Sequence, residues 1–238
     1  MPVRYKFEPR LITTLAAGAG IALTLALANW QLGRAHEKEA AAARIGALAA
    51  EPAVRLTAAA VEARDVEWRR VTARGRFEPV HAVLIDNRMR RGVVGYHVVM
   101  PLALEGGNRY VLVNRGWIAG TTNRSRLPEV KTPAGTVEIS GLAVTPSGRF
   151  LELSPGTAEG RVWQNLTLER YRKAVPIPLQ PLVIQQDSPL DDGLAREWDP
   201  PDVGVSTHYG YAFQWLALGF TLLVFYLVTH VKRRPEKV

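Results

Sequence analysis

The stretch STHYGYAFQWLALG, Ser206 to Gly219, sets one histidine beside two tyrosines and a tryptophan at the start of an apolar run. On a helix, His208, Tyr211, Ala212, Trp215 and Gly219 follow the spacing i, i+3, i+4, i+7, i+11 and so share a face. Ala212 and Gly219 are small enough to admit a partner helix or a flat ligand. Tyrosine and tryptophan alone would read as an interfacial belt. An ionisable group at membrane depth is costly and points to function, but His208 lies at the edge of the run, where it can stay hydrated. Spacing therefore leaves ligand binding and a plain helix seam equally open.

The second chemically suggestive stretch is VLVNRGWI, in which a hydrophobic strand ends in Asn114, Arg115, Gly116 and Trp117. A turn with Gly116 supplying backbone freedom and Trp117 capping the core is favoured there over a binding role. His36, in HEKE, reads as part of a solvated charged helix face. His81 and His97 read as hydrogen-bonded or surface residues of strands, and Asp191 and Asp192 as a solvated turn. The chain has no Gly-x-Ser-x-Gly elbow, phosphate loop, Gly-x-Gly-x-x-Gly or His-Glu-x-x-His. With no cysteine, disulfides, thiolate catalysis and cysteine metal ligands are excluded.

Two apolar segments must position these residues. Leu11 to Leu32 carries no charge, and Tyr209 to Val231 carries none beyond a protonated His230. About 20 helical residues cross a hydrocarbon core, so both read as transmembrane helices. The net charge is +8, of which residues 1–10 hold +2 and residues 232–238 hold +3, leaving +3 between. Basic tails at both span ends put both termini in the cytoplasm and residues 33–208 outside it. The high pI thus reflects topology, and no base-reading motif accompanies it. A secretory signal cleaved after Ala28 is the rival reading of the first span. The length of the apolar run and Trp30 as an interfacial anchor favour retention.

Between the spans, Arg34–Ala50 is rich in alanine and charge and reads as helix, stopped by Pro52. Period-two alternation then predicts strands over 69–77, 81–87, 93–102, 109–118, 136–144, 161–167 and 179–186. Gly75 suits a bulge or close approach, Glu105–Asn108 a hairpin turn, and Thr167 the cap of a short helix. Residues 188–206 read as an irregular Pro-rich connector. The expected fold is a membrane α+β protein. Two transmembrane helices, 11–32 and 209–231, flank an extracytoplasmic antiparallel β-barrel or sandwich with one or two short helices, and residues 1–10 and 232–238 are cytoplasmic tails.

Almost the whole chain resembles the Surfeit locus protein 1 family of cytochrome c oxidase assembly factors. Four blocks carry the resemblance in the family's order. Trp30, Gln31, Arg34 and Lys38 resemble a Trp-Gln-x-x-Arg block. Arg69 or Arg70, Val71, Gly75 and Phe77 resemble an Arg-x-Val-x-x-x-Gly-x-Phe strand. Asn114–Trp117 resembles the most specific run of a central hairpin, and His208, Tyr211, Ala212 and Trp215 resemble a His-x-x-Tyr-Ala-x-x-Trp block. HEKEA after Arg34 departs from the pattern, since many relatives carry an aromatic before the lysine. The resemblance implies a non-catalytic role in the bacterial inner membrane: holding heme a for insertion into oxidase subunit I, with heme a synthase a further partner and no nucleic acid. It implies His208 as axial ligand. Tyr211, Trp215 and Trp30 are then candidates to flank the macrocycle, and Arg34 and Arg115 candidates for its propionates, with no other metal. A heme-free scaffold that holds folding oxidase subunits is the alternative. Retention of the first span predicts that N-terminal sequencing of the purified protein finds no chain beginning at Asn29; such a chain would establish cleavage.

Overall fold

The computed structural model describes residues 3–121, 126–146, 158–198 and 204–235. Its elements follow in chain order, beginning with strand β1 (Val3–Phe7) and helix α1 (Leu11–Ala50). Next come β2 (Val54–Leu56), α2 (Ala63–Val66), β3 (Arg70–Phe77), β4 (Val83–Arg90), β5 (Val93–Leu104) and β6 (Tyr110–Ala119). β7 (Val137–Val144), β8 (Ala158–Glu159), β9 (Val162–Trp163), α3 (Leu168–Ala174) and β10 (Leu179–Gln186) complete the β-rich part, before α4 (Val205–His230) and β11 (Val231–Pro235). The chain divides into two compact units, one of residues 1–44 and 200–238, the other of residues 45–199.

The first unit is an antiparallel helix pair closed by a ladder. α1 is a single helix of 40 residues, so the Ala-rich segment continues the span without a break. At 1.5 Å per residue it is about 60 Å long, roughly twice a hydrocarbon core. α1 and α4 are both long and apolar enough to cross a membrane. The segments expected as basic tails pair with each other, Val3 opposite Pro235 through Phe7 opposite Val231. Glu8 bridges Lys232 at 3.0 Å, and Phe7 meets the Tyr226 ring edge-on at 6.0 Å. Both termini therefore lie at one end of the pair.

The second unit is a barrel rather than a sandwich. β3 pairs with β7, β7 with β10, β10 with β6 and β6 with β5, and β5 returns to β3, closing a five-stranded ring. The closing seam joins Gly75–Phe77 to Leu102–Leu104. A side chain at residue 75 would come within 2.1 Å of the Ala103 carbonyl, so glycine is what permits closure, as the close-approach reading expects. β10 and β6 run parallel, a departure from an all-antiparallel sheet. Such pairs need a long crossover, here the chain through β7 and α3. Leaving the ring, β4 pairs with the first half of β5 and carries β9 and β8 on its far edge. The strand expected over 161–167 thus shortens to Val162–Trp163. His81 sits in a 3-10 turn, Pro79–His81, rather than in a strand.

Period-two geometry sorts the side chains. Val111, Val113, Leu182 and Ile184 pack in the main core with Val71, Phe77 and Leu102. Their neighbours Leu112 and Val183 face the other way, into a cluster with Trp163 and Tyr171. α3 begins at Thr167, whose hydroxyl accepts from Arg170 N. Its buried Tyr171 donates a 2.6 Å hydrogen bond to the His81 carbonyl, and burial raises the pKa of that phenol.

The Asn114–Trp117 run lies inside β6 rather than at a turn. Val98 faces Gly116 and Val99 faces Asn114, so Arg115 is the extra residue of a bulge, with Gly116 at φ 137°. Bulges redirect side chains, and this one buries Arg115 completely. Its guanidinium lies 4.5 Å above the Phe77 ring. It donates to Asp192 Oδ2 at 2.8 Å, Thr132 Oγ1 at 2.8 Å and the Lys131 carbonyl at 3.0 Å. Burial pulls the Arg115 pKa down, and the Asp192 contact opposes that pull. Asp192 is likewise buried and also receives Arg196, so it is not the solvated residue its sequence context suggested. Asp191, by contrast, is exposed and pairs with Lys131.

The connector is correspondingly fastened. Ala195 exchanges both backbone hydrogen bonds with Trp117, Glu197 bridges Arg90 and Arg91, and Trp198 packs on His97. Its residues 199–203 lie outside those described. Removing one partner of a buried ion pair leaves an uncompensated charge at a cost of about 3–5 kcal/mol. Asp192→Ala should therefore destabilise the barrel by about that amount in denaturant unfolding, whereas Asp191→Ala should change it by under ~1 kcal/mol.

Candidate functional site

Within the helix pair, α1 buries Thr24, Ala28, Gln31 and Ala35, at steps of four, three and four. His208, Ala212, Trp215 and Gly219 repeat those steps on α4, and Ala212 and Gly219 are buried. The two stripes run antiparallel along one seam. The small residues of the opening stretch therefore admit a helix of the same chain. A Cβ placed on Gly219 would lie 2.6 Å from Thr24 Oγ1 and 3.5 Å from Thr24 Cβ. Side-chain hydrogen bonds punctuate the contact. Thr13 Oγ1 meets His230 Nε2 at 2.7 Å, Thr14 Oγ1 meets the Tyr226 hydroxyl at 2.7 Å, and Tyr209 donates to Glu39 at 2.9 Å.

The most chemically informative of these contacts is at His208. Its Nδ1 lies 2.7 Å from Gln31 Oε1. A carbonyl oxygen only accepts, so with Gln31 Oε1 as the partner a neutral His208 ring holds its proton on Nδ1 and keeps the lone pair on Nε2. Among the described residues Nε2 has no hydrogen-bond partner, and His208 is half-buried. This is the donor set that an axial imidazole for heme iron requires.

The other expected site residues divide by place. Tyr211 is exposed beside the seam and Trp215 is half-buried. On α1, Trp30 directly precedes Gln31 and is 56% exposed. Arg34, one turn further on, is half-exposed and bridges Glu37 at 2.7 Å. Arg115 does not belong to this set. It lies in the barrel core with its charge committed to Asp192, which corrects its assignment to a propionate. Ala212 and Gly219 likewise offer no floor for a flat ligand, since α1 occupies that face. Gln31 carried no role in the sequence reading beyond its place in a motif. An uncompensated amide on the stripe Thr24, Ala28, Gln31, Ala35 was the available signal.

Two helices long and apolar enough to cross a membrane, joined to a closed five-stranded barrel, define the architecture of this chain. The SURF1 family model matches residues 19–220, and the chain belongs to that family. A SURF1-like protein of Rickettsia felis is 26% identical over 225 residues, covering 91% of this chain and 96% of its own length. One from Rickettsia conorii is 26% identical over 87% of this chain and 86% of its own. One from Dictyostelium discoideum is 44% identical over 55 residues, 23% of this chain and 20% of its own. Family membership implies a role in cytochrome c oxidase assembly.

The Thr24–Gly219 spacing falls within the Cβ separation of disulfides, about 3.5–4.5 Å. In this cysteine-free chain, the double variant Thr24→Cys, Gly219→Cys should cross-link intramolecularly under mild oxidation. Intact mass spectrometry reads this as the loss of a pair of hydrogens. Free thiols after oxidation of folded protein would disprove the seam.

Proposed function

We propose that the protein binds heme a through His208 Nε2 and hands it to subunit I of the oxidase during assembly. The observation that carries this reading is the Gln31 contact, which occupies Nδ1 and leaves Nε2 as an unshared donor at the edge of a span. Neutral imidazole is a standard axial ligand for heme iron. Trp215, Tyr211 and Trp30 supply aromatic surface for the macrocycle, and the apolar spans suit its isoprenoid tail. Arg34 is the remaining propionate candidate, since an arginine fork matches a carboxylate and its present partner, Glu37, is an exposed and weakly held one. Basic residues at both termini support an orientation with the termini cytoplasmic and the barrel periplasmic, in the bacterial inner membrane. Heme a synthase, as the source of the cargo, is the natural second partner beside subunit I.

A heme-free scaffold is the second reading. It is favoured by the exposed face of α4, where Phe213, Phe220 and Phe225 are open to lipid or to a helix of an oxidase subunit. Co-expression with heme a synthesis separates the two. Wild type should co-purify with heme a, and His208→Ala should lose it or shift its spectrum. Unchanged stoichiometry and spectrum in His208→Ala would remove His208 as ligand, and a wild type free of heme in that strain would favour the scaffold.

A further inference from the structure

We infer that Gln31 is the positioning residue of the proposed heme site: it fixes His208 in the Nδ1–H tautomer and so leaves Nε2 as the nitrogen that would ligate the iron. The inference rests on His208 as ligand, and its own content concerns the amide on the other helix.

The contact joins residues 177 apart in sequence, so it forms only when the two spans pack. Gln31 is buried on the seam between Ala28 and Ala35, which are buried too. Its side chain is thereby restricted and points at α4. With Gln31 itself buried, its amide is shielded from water and its hydrogen bond to Nδ1 gains strength. Groups that bond the distal nitrogen of a ligating histidine set its tautomer, its ring orientation and its basicity as a donor. The chemical identity of the acceptor matters. A carboxylate would draw the proton further and give iron a more strongly donating imidazole. A neutral amide orients the ring while leaving the iron bond weaker, which suits a carrier that must release its cargo. Gln31 is thus a device for holding heme without keeping it.

Two variants and two readouts test this in the full-length protein in detergent. Without heme, nitrogen NMR of histidine-labelled protein, with His208→Ala for assignment, reports the tautomer of His208. Wild type should show Nδ1–H. Gln31→Leu, which keeps the volume and removes the acceptor, should move the ring toward the Nε2–H form that a free histidine side chain prefers. With heme a loaded, Gln31→Leu should bind about tenfold more weakly or worse and raise the reduction potential. Gln31→Glu should keep the heme, lower the potential and slow its release to an apo-acceptor. Near wild-type helix content and retention of the Thr24–Gly219 cross-link in the Gln31→Leu background show that the seam itself survives. A His208 tautomer and a heme potential unmoved in both variants would overturn the inference. The separate result that His208→Ala retains heme would overturn the ligand reading, while the tautomer measurement would still decide whether Gln31 sets the ring.

Discussion

A polar side chain inside a bilayer can find a partner only in the protein, and this constraint sets the register of the helix pair. Thr13 answers His230, Thr14 answers Tyr226, Gln31 answers His208, and Gly219 leaves room for Thr24. Sliding one helix by a turn, about 5.4 Å, would break all of these contacts at once. Apolar contact alone could not resist such a slide, because lipid tails satisfy leucine as well as another helix does. The polar contacts give the pair one alignment, and that alignment gives His208 its orientation.

The barrel meets a related constraint by a different route. Strand alternation fills its interior with aliphatic side chains, and then the β6 bulge turns a guanidinium into the same space. The buried charge obliges the chain to bring Asp192 inside, and with Asp192 comes the segment that follows β10. Ala195, Glu197 and Trp198 are held along the barrel surface as a result. The hairpin arginine that the sequence makes so conspicuous is therefore the anchor of the connector.

Much of this was legible in the residues. Alternation located five of the strands to within two residues at either end, Thr167 marked its helix, and Gly75 marked the point where the barrel closes. What escaped was non-local. Asp192 sits among prolines and a second aspartate, a setting that reads as solvent-facing. Its partner is 77 residues away, and nothing nearby signals it. The parallel pairing of β6 with β10 is also invisible to a local pattern. At the site, helical spacing identified the correct face of α4 but not its occupant, because small residues admit a helix and a planar ligand alike. Gln31 was visible only as a letter in a motif until the second helix was laid against it.

The separation of 177 residues between Gln31 and His208 also imposes a schedule. The first span leaves the ribosome with its amide unanswered, and the whole barrel must be made before its partner exists. At about 5–20 residues per second, that interval is on the order of ten to thirty-five seconds. Throughout it, α1 resides in the membrane as a lone helix with polar side chains seeking partners. The orientation that Gln31 gives His208 is thus a late property of the nascent chain, arriving only after every residue of the barrel has been made.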